Sequence, residues 1–319
     1  MLESKSIESK ESKKSYEIIV VENPSVSSQT SEFLESYRGK ITYYKNAKNL
    51  NLFGNWNRCI SLAKGKWVCI LHDDDILLPN YLSEMKKAVE KVEENTALIS
   101  HRAIYFGNLD LINYRQAEDS GIKKQLKKCK SLFLALKSIK SFCINHIIFP
   151  ILGVKKYKLL DKRSADYIAK YNPLHPSAML HNKEVFLKLG GYNQSYFPSD
   201  DWFCHIRCAE NASVYQLDKF LSKYRYSINL SFNKDTMFYG SIVNFLHTRD
   251  NLKINKRLKN ILFQKQYENV LKIQDENLKN EILKIFADFG FKQMELKILD
   301  RFLYRIYRMH DVEIYKVEK

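Results

Sequence analysis

Trp67-Val68-Cys69-Ile70-Leu71, followed at once by His72-Asp73-Asp74-Asp75 and then by Pro79, is the stretch that decides the fold. Five apolar residues in a row, rich in β-formers, read as a short strand covered on both faces. Ahead of it a helix is predicted from near Asn55 to Ala63, stopped by Lys64-Gly65. Behind it Pro79 opens a helix running to about Val92, and Ala97-Leu98-Ile99-Ser100 reads as the next strand. The same alternation extends upstream. Tyr16-Glu17-Ile18-Ile19-Val20-Val21 is a buried-strand pattern bounded by Asn23-Pro24-Ser25, followed by a helical stretch near Ser28 to Tyr37 and a short strand at Ile41 to Tyr44. Strand and helix taking turns at this spacing imply an open α/β sheet, parallel where these strands are concerned.

The 319 residues suffice for a large buried core, and 45% hydrophobic with 13% aromatic residues excludes a disordered chain. Only 10 Gly and 6 Pro argue against a collagen-like or turn-dominated all-β protein. Cysteines at 59, 69, 129, 143, 204 and 208 show neither metal spacing nor a disulfide framework, which points to a reducing compartment. Cys204 and Cys208 share a helical face and read as packing residues. No run reaches the roughly 18 apolar residues of a membrane span, and Met1 to Lys14 is too polar for a signal peptide. A cytoplasmic protein, or one peripheral on the inner face of the cell membrane, is expected.

The net charge of +16 is unevenly spread. Residues 121–170 hold 13 Lys/Arg against two Asp, Asp161 and Asp166, and so carry most of it. Ile122, Leu126, Cys129, Phe133, Leu136 and Ile139 recur at steps of three and four among lysines, the pattern of a basic amphipathic helix. Such a stripe suits an anionic membrane surface through 121–140, or a helix lying on its own domain. Nucleic acid fits less well: Arg is nearly absent there and no nucleic-acid module appears. Residues 1–15 form a polar segment with a threefold Glu-Ser-Lys repeat, and residues 232–319 read as an all-α tail, with Leu278, Ile282, Ile285 and Phe286, then Leu296, Leu299, Leu303 and Ile306, at helical steps.

Three adjacent carboxylates repel one another unless a cation or solvent screens them, and the end of a strand is where open α/β sheets bind ligands. Asp73, Asp74 and Asp75 therefore suit a divalent-metal site for Mn or Mg, or else an acidic loop favouring the N-terminus of the helix opening at Pro79. A second acidic pair, Asp200-Asp201, follows Gly190-Gly191-Tyr192 and opens a helical stretch. It reads as an N-cap pair or as a general base. His72 and His205, outside any metal spacing, read as structural or loop residues.

These residues resemble a known family. Asn57, Ala63 to Val68, Leu71 to Asp75 and Pro79 look like the metal-binding DxD block of the family 2 glycosyltransferases, which have the GT-A fold. Pro176 to Leu180, Val185-Phe186, Leu189 to Tyr192 and Asp200-Asp201 resemble that family's acceptor-side block, and Glu17 to Ser25 its second strand. Tyr224 to Ser227 with Asn229 and Ser231 resemble a closing motif, with Ser227 where the family usually has His. The resemblance covers residues 16–231, interrupted by the basic insertion at 121–170, and implies an α/β GT-A-type open mixed sheet with flanking helices and a helical C-terminal tail. Carried over residue by residue, it implies that Asp74 and Asp75 ligate Mn or Mg, that Asp73, Asp200 and Glu22 contact the nucleotide-sugar, and that Asp201 is the catalytic base. The implied reaction moves a sugar from a nucleoside-diphosphate sugar, first of all a UDP-sugar, to a hydroxyl of a glycan or lipid-linked acceptor with inversion, as in polysaccharide biosynthesis. The family has a further strand and helix before the segment matching Tyr16 to Val21. The expectation drawn from this is an N-terminally truncated chain, weakly active or catalytically inactive, with either a gap in its sheet or Met1 to Lys14 pressed into it.

Overall fold

A computed structural model describes residues 16–24, 29–108, 160–171, 174–197, 199–226, 253–271, 275–288 and 290–293, with 240, 242, 273, 295–297, 300–301 and 316–317. The chain opens with β1 (Ile19–Glu22), α1 (Gln29–Glu35), β2 (Thr42–Lys45), α2 (Asn51–Leu62), β3 (Trp67–Ile70), β4 (Ile76–Leu77), α3 (Tyr81–Val89) and β5 (Thr96–Gly107). It continues through β6 (Leu160–Lys162), α4 (Ala165–Tyr171), β7 (Met179–Asn182), α5 (Lys183–Lys188), α6 (Asp200–Asn211), β8 (Ser213–Tyr226), α7 (Lys256–Val270), α8 (Glu276–Asp288) and β9 (Lys316–Val317).

The main sheet runs β3-β7-β5-β8-β4, with β6 on β8 and β9 on β5. It is mixed. Its spine is the long parallel pair β5–β8, whereas β7 lies antiparallel to both β3 and β5. The parallel reading drawn from the apolar strands therefore holds for β1–β2 and β5–β8 but not for β3. The sheet feeds two cores, one on each face. Val68, Ile70, Leu98, Met179 and Val214 face the cluster formed with α2, α4, α6, α7 and α8, while Ile99, Leu180, Leu217 and Leu221 pack with Tyr81, Met85 and Ala88 of α3 on the opposite face. Fully burying a side chain such as Phe53, Phe186 or Phe203 contributes about 2–3 kcal/mol.

The strands β1 and β2 form their own two-stranded parallel sheet, and among the described residues no ladder joins them to β3. Met1 to Lys14, expected either to leave a gap here or to press into the sheet, lie outside the described residues. Consistent with an uncovered edge, all four β1 residues are only half-buried.

The C-terminal helices pack as expected: Leu258, Leu262, Phe263, Val270, Ile282 and Phe286 join the main core. The region is not all-α, because Lys316–Val317 adds a parallel strand to β5. The expected helix over Ile122 to Ile139 lies outside the described residues, as do Leu299, Leu303 and Ile306. No helix among the described residues is long and apolar enough to cross a membrane.

Candidate active site

The acidic loop is a tight return between two strands. After β3 the chain turns at His72 to Asp75, with the Asp75 N–H on the His72 carbonyl (3.2 Å), and comes back as β4 antiparallel to β8. Two neighbours hold it. The His72 N–H donates to Ser177 Oγ (3.3 Å), and the Arg225 N–H at the end of β8 donates to Asp75 Oδ1 (2.8 Å). Asp73 is exposed and Asp74 half-buried, whereas the Asp75 side chain is 1% exposed. Ligand atoms of His72, Asp74 and Asp75 lie within 4.8 Å of one another. Asp73 shares the turn without joining that set.

Two atoms of this set are buried with no hydrogen-bond partner among the described residues: His72 Nε2 and Asp75 Oδ2. Such orphans cost about 1–3 kcal/mol each unless something binds them. Burial pushes the Asp75 carboxyl up to about 6; Ser177 and the Arg225 N–H oppose the rise, and Asp74 and Asp73 add to it. The Ser177 hydroxyl exerts that pull from close by without meeting hydrogen-bond geometry to Oδ2. Burial also lowers the His72 pKa, against the attraction of Asp74 and Asp73, so the imidazole is neutral at pH 7 and can ligate. Two carboxylates and a neutral imidazole, with ligand atoms within 4.8 Å of one another, fit Mn, and with more water in the shell Mg.

The second acidic pair begins α6, as its sequence suggested. The two aspartates have different surroundings. Asp200 is 0% exposed; one carboxylate oxygen accepts the Asn193 N–H, and the other lies 3.9 Å from Arg207 with no hydrogen bond among the described residues. Asp201 is only half-buried and so is the member open to a ligand. Burial raises both carboxyls to about 6. His205, one turn on, is buried and held down to about 3 by burial first and by His181, Arg207 and His175 second. It stays neutral, in keeping with a structural role.

Three consecutive residues of α2 tie the pieces together. Asn55 Nδ2 donates to the Val21 carbonyl (3.2 Å) at the end of β1. Trp56 stacks on the His72 ring, 5.0 Å between centroids. Asn57 clamps the turn before Asp200: its Nδ2 donates to the Tyr192 carbonyl (2.6 Å) and its Oδ1 accepts the Tyr192 N–H (2.9 Å). Gln194 returns the contact by accepting the Phe53 and Gly54 N–H groups, which caps the exposed donors of α2. At the other end Lys183 donates to the Ser61 and Ala63 carbonyls. The helix is thus a rigid spacer between the two acidic groups. Glu22 lies on the small sheet, where its carboxylate accepts the Tyr43 hydroxyl and its carbonyl the Asn46 N–H (2.9 Å).

His72, read from sequence as a structural or loop residue, lies with Asp74 and Asp75 in a group that could hold a metal ion. The signal available in sequence was adjacency to three carboxylates; what it lacked was Trp56, whose stacking buries and aims the ring. Ala178 was also missed as a special position. It has φ +61, a conformation costing about 1–2 kcal/mol for an L-residue. Its N–H donates to Ile70 O (2.7 Å), and its carbonyl accepts Tyr81 Oη–H (2.7 Å) and meets His101 Nε2 (3.0 Å). That kink presents Ser177 to the acidic loop. Cys204 and Cys208 are buried and unpaired, the packing role expected.

Residues 5–149 match the family described as Glycosyl transferase family 2. An uncharacterized glycosyltransferase of Methanocaldococcus jannaschii is 28% identical over 212 residues, covering 65% of this chain and 59% of that protein. A second uncharacterized glycosyltransferase, from Mycoplasma pneumoniae, is 28% identical over 94 residues, 27% of this chain and 30% of that protein. The chain therefore spans less than two thirds of the length of these curated relatives. Among solved structures, S. aureus TarS 1–349 in complex with UDP matches with a TM-score of 0.50 at 13% identity, covering 94% of this chain and 80% of that one. This likeness shows a shared fold.

Proposed function

We propose that this chain, which carries a Glycosyl transferase family 2 domain of GT-A type, moves a sugar from a nucleoside-diphosphate sugar to an acceptor hydroxyl with inversion. The observation that carries the reading is the convergence of His72, Asp74 and Asp75 at the carboxyl end of β3, with two of their atoms buried and unpartnered. A divalent cation held there, Mn or Mg, would offset the charge of the donor's diphosphate and of the departing nucleoside diphosphate. Asp74 and Asp75 supply carboxylate oxygens to it, and His72 a ring nitrogen. Asp73, exposed on the same turn, would contact a donor hydroxyl, and Glu22 with Tyr43 the nucleotide base. A UDP-sugar is the donor to try first, UDP being the nucleotide held by S. aureus TarS.

Asp201 is the base. It is the accessible carboxylate of its pair, and a pKa near 6 leaves it ionised at neutral pH while basic enough to take the acceptor's proton. The deprotonated hydroxyl then attacks the anomeric carbon on the face opposite the leaving group, which inverts that carbon. Asp200 supports this from behind by fixing Asn193 and, through it, the turn that carries Tyr192. The acceptor is a glycan or a lipid-linked glycan. Charge in 121–140 supports work at an anionic membrane surface. A screen of nucleotide-sugars for metal-dependent hydrolysis tests the proposal; turnover of one donor, abolished by chelator, is expected. Absence of turnover with every donor, in Mn and in Mg, would favour a non-catalytic GT-A-like chain.

A further inference from the structure

We propose that Arg225 is a positioning residue that braces the Asp74–Asp75 turn so that the donor set is gathered before any cation binds. This rests on the metal reading given above. Three contacts converge from the one residue. Its backbone N–H, which alanine or lysine would also supply, donates to Asp75 Oδ1 (2.8 Å), and Oδ2 is left buried with no hydrogen-bond partner among the described residues. Its Nε–H donates to the Asp74 carbonyl (3.1 Å), which fixes the backbone of the neighbouring ligand. Its guanidinium lies over the Phe106 ring, 4.5 Å from the centroid, and so is itself held.

The sheet makes this geometry. Phe106 and Arg225 are register partners in the parallel pair β5–β8, so their side chains leave the same face side by side. Two residues earlier on β8, Lys223 pairs with Ile76 of β4, which brings the end of the acidic loop back beside Arg225. A planar donor on a rigid strand thus meets a loop whose three adjacent carboxylates would otherwise spread apart. Lysine would keep the charge but not the flat fork seated on Phe106.

Arg225 is exposed, so its side chain can be removed without opening the core. The pair β5–β8 supplies a control: Arg102, four residues before Phe106, forms an ion pair with Asp218 and lies over Phe220, 6.0 Å from the centroid. The test is Mn binding to the full chain, read by the loss of free-Mn electron paramagnetic resonance signal, with thermal midpoints measured alongside. Arg225→Ala is expected to weaken Mn binding about ten- to a hundredfold, as loss of a ligand-orienting group does. Arg225→Lys should recover only a small part, and Arg102→Ala should lower the thermal midpoint while leaving Mn affinity at the wild-type value.

Several results would overturn the brace: wild-type Mn affinity in Arg225→Ala, full recovery by lysine, or equal losses in Arg225→Ala and Arg102→Ala. A wild-type chain that takes up no Mn at all would remove the metal reading, and the brace with it.

Discussion

Gly191 should be the most sensitive small residue near the site, and the reason can be worked out atom by atom. It has φ +60, and a Cβ added there would lie 2.8 Å from Asn57 Oδ1. An L-residue in this conformation costs about 1–2 kcal/mol. The contact adds a second cost, because Asn57 must move and so loses its paired hydrogen bonds to Tyr192, each contributing about 1 kcal/mol. Gly191→Ala should therefore destabilise by about 3–4 kcal/mol. Gly190 is the internal control, with φ +95 but nothing within 4 Å of where an added Cβ would stand, so Gly190→Ala should cost the conformational part alone, about 1–2 kcal/mol. At roughly 2–4 °C per kcal/mol the two variants should differ by about 4–8 °C in thermal midpoint. Asn57→Ala removes the obstacle, so Gly191→Ala made in that background should cost no more than Gly190→Ala, a coupling of about 2 kcal/mol. Equal midpoints for the two glycine variants, or strict additivity with Asn57→Ala, would refute the clamp.

Asp201→Asn should leave folding and donor binding nearly intact and lower transfer at least about a hundredfold; with its pKa raised to about 6, wild-type transfer should also fall as pH drops through 6, and a flat profile from pH 5 to 8 would move the base elsewhere. Asp200 has a folded pKa of about 6, above its unfolded value of about 3.9, so its contribution to stability is full below that unfolded value and lost as pH rises through 6. Asp200→Asn should accordingly flatten this loss, worth up to about 3 kcal/mol between pH 4 and 8, in urea unfolding at the two pH values; an unchanged pH dependence would contradict a buried ionisable Asp200. The basic stripe should bind anionic liposomes and release them as salt rises, with Phe133→Ser plus Leu136→Ser weakening binding while the fold persists; unfolding of that variant would instead make the stripe part of a core.

Much of this site was readable because its signals are local. A buried strand followed by carboxylates, and an acidic pair opening a helix, need no tertiary information, and Trp67 to Asp75 and Asp200-Asp201 were recognisable for that reason. The partnerships were not local. Asn57 and Tyr192 are 135 residues apart, Phe53 and Gln194 are 141 apart, and nothing in either segment announces the other. His72 shows the same limit, since its place beside Asp74 and Asp75 depends on Trp56 and Ser177, which hold its ring and its backbone. Strand lengths were under-read for a related reason. Ala97 to Ser100 carries the apolar signal, but pairing with β8 extends β5 from Thr96 to Gly107 through polar positions such as His101 and Arg102. The separation of β1–β2 from the main sheet among the described residues is a matter of ladder connectivity that periodicity alone cannot express.

The claim that His72, Asp74 and Asp75 hold a cation for a nucleoside diphosphate is tested most directly by calorimetric titration of UDP, and of other nucleoside diphosphates, with Mn and then with chelator. Mn should strengthen binding of one nucleotide at least about tenfold, a difference of about 1.4 kcal/mol, and Asp74→Ala should erase the difference while the chain stays folded. Nucleotide affinity that is the same with Mn, with chelator and in Asp74→Ala would contradict the account.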